Sequence, residues 1–345
     1  MDRRVAILIP TLNEGRRIGA LLAQLTRLPA DLVLDILVAD GGSVDTTRAQ
    51  VAAAAAGDRR VRLIDNPARL QAAGLNRAAA AANHRVDTFV RIDAHALYPD
   101  DYVPRLLAVF AETGAQMIAV RLDTRGETCL QRGIAAAQNS RIGSGGSAHR
   151  VGGRAGFVDH GHHAGMDRAT FLAVGGYDES FVANEDAEFD YRVRRANGRI
   201  WLATDIAITY FPRRTLRALF IQYRRYGEGR AMTYLKHGER LRLRQMLPPV
   251  LVCAVPLALL AAPFQPALLA IPLGYLALLL GASATLLIRA PSPCTLLAGP
   301  AIAAMHFGWG YGFARKFVSG VMRSITGMRG AAAPPNSLRA KGETE

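Results

Sequence analysis

The chain has 345 residues and a formal net charge of +14, with 50% hydrophobic and 20% charged residues, a balance that excludes disorder for most of its length and supplies a sizeable core. Its length fits one domain of about 200 residues or more plus an appendage. Cys129, Cys253 and Cys294 are far apart, without C-x-x-C or ligand spacing, which excludes a disulfide framework or zinc cluster and suits a reducing interior.

Val5 to Ile9 is a short apolar run closed by Pro10. Thr11 and Asn13 then offer turn and cap chemistry before an amphipathic stretch from Arg16 to Leu28, so strand, loop and helix are predicted. Leu34 to Ala39 is a second strand, ended by Asp40, Gly41, Gly42 and Ser43 and followed by an alanine-rich helix to about Ala56. Val61 to Ile64 is a third strand, with a helix near Ala72 to Ala82 after it, and Thr88 to Ile92 is a fourth. This alternation argues for a parallel sheet covered on both faces, with ligands at the carboxyl ends of the strands, where Asp40 and Asp93 stand. No G-x-G-x-x-G follows the first strand and no G-x-x-x-x-G-K-[ST] occurs, so dinucleotide and P-loop sites are unsupported. The glycine-rich stretch Gly143 to Gly153 lacks a clear strand before it and reads as a mobile loop. Glu185 and Asp186 follow a turn and open a helix over Ala187 to Ala196.

The excess charge is local. Residues 213–244 carry Arg213, Arg214, Arg217, Arg224, Arg225, Arg230, Lys236, Arg240, Arg242 and Arg244 against Glu228 and Glu239, and the preceding part is nearly neutral. Met246 to Ile288 then contains no charged side chain, so membrane lipids, not nucleic acid, are the expected partner. Two membrane helices are predicted near 247–264 and 267–288, parted by Pro263, Gln265 and Pro266. Ala290 to Ala314, with Pro291, Pro293, Pro300 and His306, either spans or is re-entrant. Arg240, Arg242, Arg244 and Arg289 place the catalytic part in the cytoplasm, and Arg315, Lys316, Arg323 and Arg329 favour an even number of crossings. No signal peptide is expected, and residues 331–345 read as disordered. The expected divisions are 1–212 (catalytic), 213–245 (basic interfacial helix), 246–318 (membrane) and 319–345 (basic tail).

Six motifs carry the chemistry: IPTLNE (Ile9 to Glu14), VADGGSVDTT (Val38 to Thr47), RIDAHA (Arg91 to Ala96), GGYDE (Gly175 to Glu179), NEDAEFDYR (Asn184 to Arg192) and QYRRYG (Gln222 to Gly227). In order and spacing the chain resembles family 2 glycosyltransferases over about residues 5–235, most of all the membrane-bound bacterial exopolysaccharide enzymes of the succinoglycan glucosyltransferase type. The resemblance implies an α/β GT-A fold, a Rossmann-like mixed sheet, followed by C-terminal transmembrane helices in the bacterial inner membrane. It implies inverting transfer of a hexose, glucose foremost, from a nucleotide diphosphate sugar such as a UDP-sugar to a polyprenyl-linked saccharide.

Breaking a sugar–diphosphate bond builds negative charge on the leaving group, which calls for a divalent cation and basic side chains, while one carboxylate must take the acceptor proton. Asp93 and His95, at strand spacing of two, are expected to share that ion, Mg2+ or Mn2+, with the imidazole favouring manganese. By resemblance Asp186 is the base and Glu185 orients the acceptor, although acids also open helices merely as caps. Arg225 would neutralise the departing diphosphate, and Gln222 and Tyr226 would meet the acceptor. Pro10, Thr11, Asn13, Glu14, Asp40, Arg69, Asn76 and Asp93 would hold the nucleotide sugar, with Gly41 where many relatives carry a second Asp. Asp159, His160, His162 and His163 read as a loop meeting acceptor hydroxyls, with His163 among the acceptor contacts and a metal site as the alternative. The rival functions are a polyprenyl-phosphate glycosyltransferase, a processive synthase and a silent nucleotide-binding membrane scaffold.

Overall fold

A computed structural model describes residues 3–239 and 241–326. Arg240, Arg329 and the tail 331–345 lie outside the described residues. The chain forms two compact units, each built from separated stretches. Among the described residues the first comprises 3–122 with Gly152–Tyr210, and the second Asp123–Val151 with 211–239 and 241–326. The sequence suggested an unbroken run to residue 212; instead the chain leaves the first unit at Asp123 and returns at Gly152.

In chain order the elements are β1 (Val5–Thr11), α1 (Ile18–Leu25), β2 (Val33–Asp40), α2 (Thr47–Gly57), β3 (Val61–Asp65), α3 (Gln71–Ala81), β4 (Thr88–Arg91), β5 (Ala96–Leu97), α4 (Tyr102–Thr113) and β6 (Met117–Thr124). After α5 (Cys129–Gln138), α6 (Arg141–Ser144) and α7 (Ala148–Val151) come β7 (Gly156–Val158), β8 (His162–Asp167), α8 (Arg168–Ala173), α9 (Glu185–Arg195) and β9 (Ile200–Tyr210). The last helices are α10 (Leu216–His237), α11 (Leu243–Ala261), α12 (Ala270–Arg289) and α13 (Ala298–Ile325).

The sheet runs β3-β2-β1-β4-β8-β6-β9-β5, with β7 on β9. Its first four strands are parallel, as their alternation with helices predicts. Val5 to Ile9 are all fully buried, which is why β1 reads as an unbroken apolar run instead of an alternating one. β8 then enters antiparallel between β4 and β6, so the sheet is mixed. Parallel β1, β2 and β4 bring their carboxyl ends to one edge, and an antiparallel β8 brings its amino end to the same edge.

The second unit is helical. α13 begins within the stretch Ala290 to Ala314 and runs past it, and Ala298, Ala301, Ile302 and Met305 are fully buried with Ile134 of α5 and Leu219 of α10 in one cluster. α10 and α13 meet backbone to backbone: a Cβ on Gly227 would stand 2.0 Å from the Trp309 carbonyl oxygen, and one on Gly312 2.0 Å from that of Arg224. Two segments, Leu243–Ala261 and Pro266–Arg289, are long and apolar enough to cross a membrane, with mean hydropathies of 1.7 and 2.0 and only 6% and 11% of their apolar windows buried. A soluble core helix would be covered; these present Leu247, Leu260, Leu273 and Leu280 outward. The expectation of unpaired cysteines is corrected: Cys129 and Cys294 form a disulfide with Cα atoms 5.0 Å apart. The half-cystines are 165 positions apart, so local spacing carries no sign of the bond. Cys253 is free and exposed.

Candidate active site

The loops after β1 and β2 emerge side by side because their strands are parallel neighbours, and they interlock. Asn13, held at a left-handed φ of 57°, donates its backbone N–H to Ser43 Oγ at 2.8 Å and accepts from Val44 N–H at 2.9 Å. Glu14 N–H donates to Thr47 Oγ1 and Gly15 N–H to Asp45 Oδ2. A Cβ on Gly15 would lie 2.3 Å from Thr46 Oγ1, so the loops mesh only around glycine. Pro10 is half-buried and Thr11 buried at the same strand end, and Arg69 is exposed.

Two expected nucleotide contacts turn inward. Asp40 is buried; its Oδ2 accepts from Gly42 N–H, Ser43 N–H and Arg48 Nη1 at 3.1, 3.0 and 2.9 Å, and its Oδ1 accepts from the Ser43 hydroxyl. Burial pushes its pKa up, but the Ser43, Arg48 and Gly42 donors hold it below the usual value. Asp40 therefore shapes its loop, and Arg48, which also donates to Asp65 at 3.0 Å, is the partner that reaches the surface. Asn76 corrects the sequence expectation outright: its Nδ2 donates to the Tyr177 carbonyl at 2.8 Å and Glu179 Oε1 at 2.9 Å, and its Oδ1 accepts from Tyr177 N–H at 2.8 Å. Buried and saturated, it ties α3 to the GGYDE segment and offers nothing to a nucleotide.

At the end of β4 the chain builds a charged centre. Arg91 is almost wholly buried and forks: Nε donates to Asp93 Oδ1 at 3.1 Å, Nη2 to Asp93 Oδ2 at 3.3 Å, and Nη1 to Glu185 Oε1 at 3.5 Å. One guanidinium thus joins the sheet edge to the first turn of α9, which Asn184 opens from a left-handed φ of 66°. Burial would raise the Asp93 pKa, but Arg91, with His162 and His95 nearby, carries it well below the ordinary carboxylate range. Glu185 and Asp186 are driven apart. Burial and the neighbouring Asp186 charge raise Glu185, whereas for Asp186 the burial penalty is outweighed by His160, His163 and Arg91. Asp186 is accordingly the carboxylate kept ionised.

His95 departs from expectation. Asp93 to His95 lies beyond the strand, in a turn closed by Ala96 N–H on the Asp93 carbonyl at 3.1 Å, so strand alternation does not align the two side chains. The His95 ring is half exposed, with Nδ1 3.4 Å from Glu14 Oε1, and packs edge-on to Tyr210. The imidazole beside Asp93 is instead that of His162, whose Nε2 is 3.9 Å from Asp93 Oδ2. Burial pushes His162 down to about 3, so its ring is neutral at physiological pH.

His163 faces away. It is fully buried, with Nδ1 2.6 Å from the Tyr177 hydroxyl and Nε2 2.8 Å from Asp190 Oδ1. Both ring nitrogens are engaged inside the fold, which corrects its assignment to the acceptor. Asp190, one helical turn after Asp186, also accepts from His160 Nδ1 at 2.7 Å and Gly161 N–H at 3.3 Å. Arg91 and Asp190 escaped sequence reasoning, yet each carries a periodic signal: Arg91 precedes Asp93 by two, and Asp190 follows Asp186 by four.

In the second unit Gln222 is buried and donates Nε2–H to the Tyr226 hydroxyl at 2.9 Å, one turn on, while Arg225 of the same helix is exposed. Among the described residues no three His, Cys, Asp or Glu side chains converge on a ready-made metal site. What the first unit offers is a carboxylate and a neutral imidazole, a donor pair that fits an ion of the manganese or magnesium kind completed by substrate phosphates.

A family model described as Glycosyl transferase family 2 matches residues 6–174. The succinoglycan biosynthesis protein ExoA of Rhizobium meliloti (strain 1021) is 43% identical over 313 residues, 90% of this chain and 94% of that protein. The solved mannosyltransferase PcManGT from Pyrobaculum calidifontis, in complex with GDP-Man and Mn2+, matches with a TM-score of 0.53 and 18% identity over 95% of this chain and 89% of its own.

Proposed function

The chain belongs to glycosyl transferase family 2, has the GT-A fold and is a glycosyltransferase; on that footing we propose that it moves a hexose, glucose foremost, from a nucleotide diphosphate sugar to a lipid-linked saccharide during exopolysaccharide synthesis. The observation that carries this reading is the Arg91 bridge. It ties Asp93, suited to the diphosphate end of a donor, to Glu185, the neighbour of Asp186. That link supports a reading in which leaving group and base share one site of the first unit.

Asp186 takes the proton of the acceptor hydroxyl as that oxygen attacks the anomeric carbon opposite the diphosphate, inverting the centre. Its depressed pKa keeps it ionised, and Glu185, raised by burial and by Asp186, orients the acceptor. Asp93 would hold a divalent cation, which would supply charge neutralisation at the leaving group. The interlocked loops around Pro10, Thr11, Asn13 and Glu14 form the nucleotide floor, with Arg69 beside them. For Arg225 at the diphosphate, and for Gln222 and Tyr226 at the acceptor, the family resemblance alone suggests a role. The exposed apolar segments Leu243–Ala261 and Pro266–Arg289 support a membrane anchor, and the arginines at or beside their ends, Arg242, Arg244 and Arg289, support a cytoplasmic catalytic face. Similarity to the succinoglycan protein supports the polysaccharide context.

The test uses the purified full chain in detergent with Mn2+ or Mg2+, a panel of UDP- and GDP-hexoses and a polyprenyl diphosphate saccharide. Acceptor-dependent release of nucleotide diphosphate is expected, and Asp186→Asn should abolish it while leaving donor binding intact. Transfer to polyprenyl phosphate that survives Asp186→Asn would instead favour the polyprenyl-phosphate reaction, in which the acceptor needs no base.

A further inference from the structure

We propose that His162, and not His95, is the imidazole that shares a divalent cation with Asp93 when a nucleotide diphosphate is bound. The inference rests on the glycosyltransferase reading and names one ligand within that site.

Three observations carry it. The first is register: β8 lies antiparallel to β4 with Thr88 opposite Asp167, Phe89 opposite Met166 and Val90 opposite Gly165. Continued past the end of β4, that register sets His162 opposite Asp93. β8 carries an irregularity against β6 between Ile118 and Ala119, and such a bulge re-aims neighbouring side chains. His162 turns to Asp93 while His163 turns to Asp190.

The second is distance. The 3.9 Å between His162 Nε2 and Asp93 Oδ2 is longer than a hydrogen bond, yet within the span of two metal–ligand bonds of about 2.1 Å each. Asp93 Oδ1 takes the shorter bonds, from Gln71 Nε2 and Arg91 Nε at 3.1 Å each. Oδ2, on the His162 side, accepts among the described residues the longer 3.3 Å bond from Arg91 Nη2.

The third is the contrast with His95. Its ring is 47% exposed against 16% for His162, its Nδ1 faces Glu14, and the turn closed between Asp93 and Ala96 separates its direction from that of Asp93. His162 opens β8 and Asp93 stands two residues past the end of β4, so the pair is braced by two neighbouring strands of one sheet, a firmer support than two positions of one turn.

The experiment adds Mn2+ with UDP or GDP to the detergent-solubilised full chain and records pulsed electron paramagnetic resonance of the bound ion. Nitrogen modulation from a directly ligated imidazole is expected in the unsubstituted protein and in His95→Ala. It should be lost in His162→Ala, with Mn2+ affinity in the presence of nucleotide weakened about tenfold or more. His162→Gln, which keeps a polar group of similar reach without an imidazole, gives the same loss of modulation if the alanine variant is poorly folded. Modulation that persists in both His162 variants, or disappears in His95→Ala, overturns the assignment. If that happens while the unsubstituted protein still transfers sugar, only the ligand identity falls; absence of turnover across the donor panel removes the glycosyltransferase reading itself.

Discussion

Replacing Asp190 tests whether the hydrogen-bonded unit behind Asp186 holds the first unit together. The Asp190 carboxylate is fully buried and accepts from His163 Nε2, His160 Nδ1 and Gly161 N–H. Asp190→Ala strands the buried His163 donor, which costs about 1 to 3 kcal/mol alone. It also removes the anion on which the half-buried His160 and Gly161 converge, for a total of about 3 to 5 kcal/mol. At about 2 to 4 °C per kcal/mol for a domain of this size, the melting midpoint in detergent should fall by roughly 6 to 20 °C. Asp190→Asn keeps the volume and one acceptor, so a smaller drop is expected. The acid limb separates charge from shape. His163 and His160 overcome the burial penalty and hold Asp190 at about 2, below its ordinary 3.8, so its contribution is complete above about pH 3.8 and fades as pH falls towards 2. That fading should vanish in Asp190→Asn. A melt of Asp190→Ala within 2 °C of the unsubstituted protein, or an acid limb of Asp190→Asn superimposable on it, would refute the reasoning.

Other perturbations probe different links. Arg91→Met leaves Asp93 and Glu185 buried without their shared cation and should cost about 3 to 5 kcal/mol; Arg91→Lys, lacking the fork, should recover little of it in the same melts. Gly312→Ala drives a methyl against the Arg224 carbonyl oxygen and should lower the midpoint by the equivalent of about 1 to 3 kcal/mol or more, whereas Gly57→Ala, with nothing within 4 Å, should leave it unchanged. Alkylation of the denatured, unreduced chain should label Cys253 alone, and reduction should expose two further thiols and destabilise the native protein by about 2 to 5 kcal/mol, given the long loop the bond closes.

The parallel half of the sheet was legible because β1 and β2 are apolar runs of strand length punctuated by Pro10 and by Asp40 to Ser43. The antiparallel half was not. β8 is His-His-Ala-Gly-Met-Asp, with no β-branched residue and no clean alternation, and it is a strand because β4 and β6 supply partners on either side. Within the site, Asp93 and Asp186 are proposed from motif and position, whereas Asn76 and His163 turn into the fold. A buried polar side chain looks the same in sequence whether it faces a ligand or the fold, and only its partners decide. Those partners lie far off in the chain: Tyr177 for Asn76, Asp190 for His163. The disulfide was hidden for the same reason.

The discontinuity of the second unit bears on how the protein is made and cut. Asp123–Val151 leaves the ribosome well before α10 and α13, against which Ile134 and Ala137 are buried. Through the synthesis of β7 to β9 this stretch therefore has an apolar face awaiting its partners. Truncation near residue 212, the obvious way to seek a soluble enzyme, would leave that face bare for good and Cys129 without its mate. Excising 123–151 along with the carboxyl-terminal helices, and splicing Leu122 to Gly152 through a short polar linker, removes both liabilities at once.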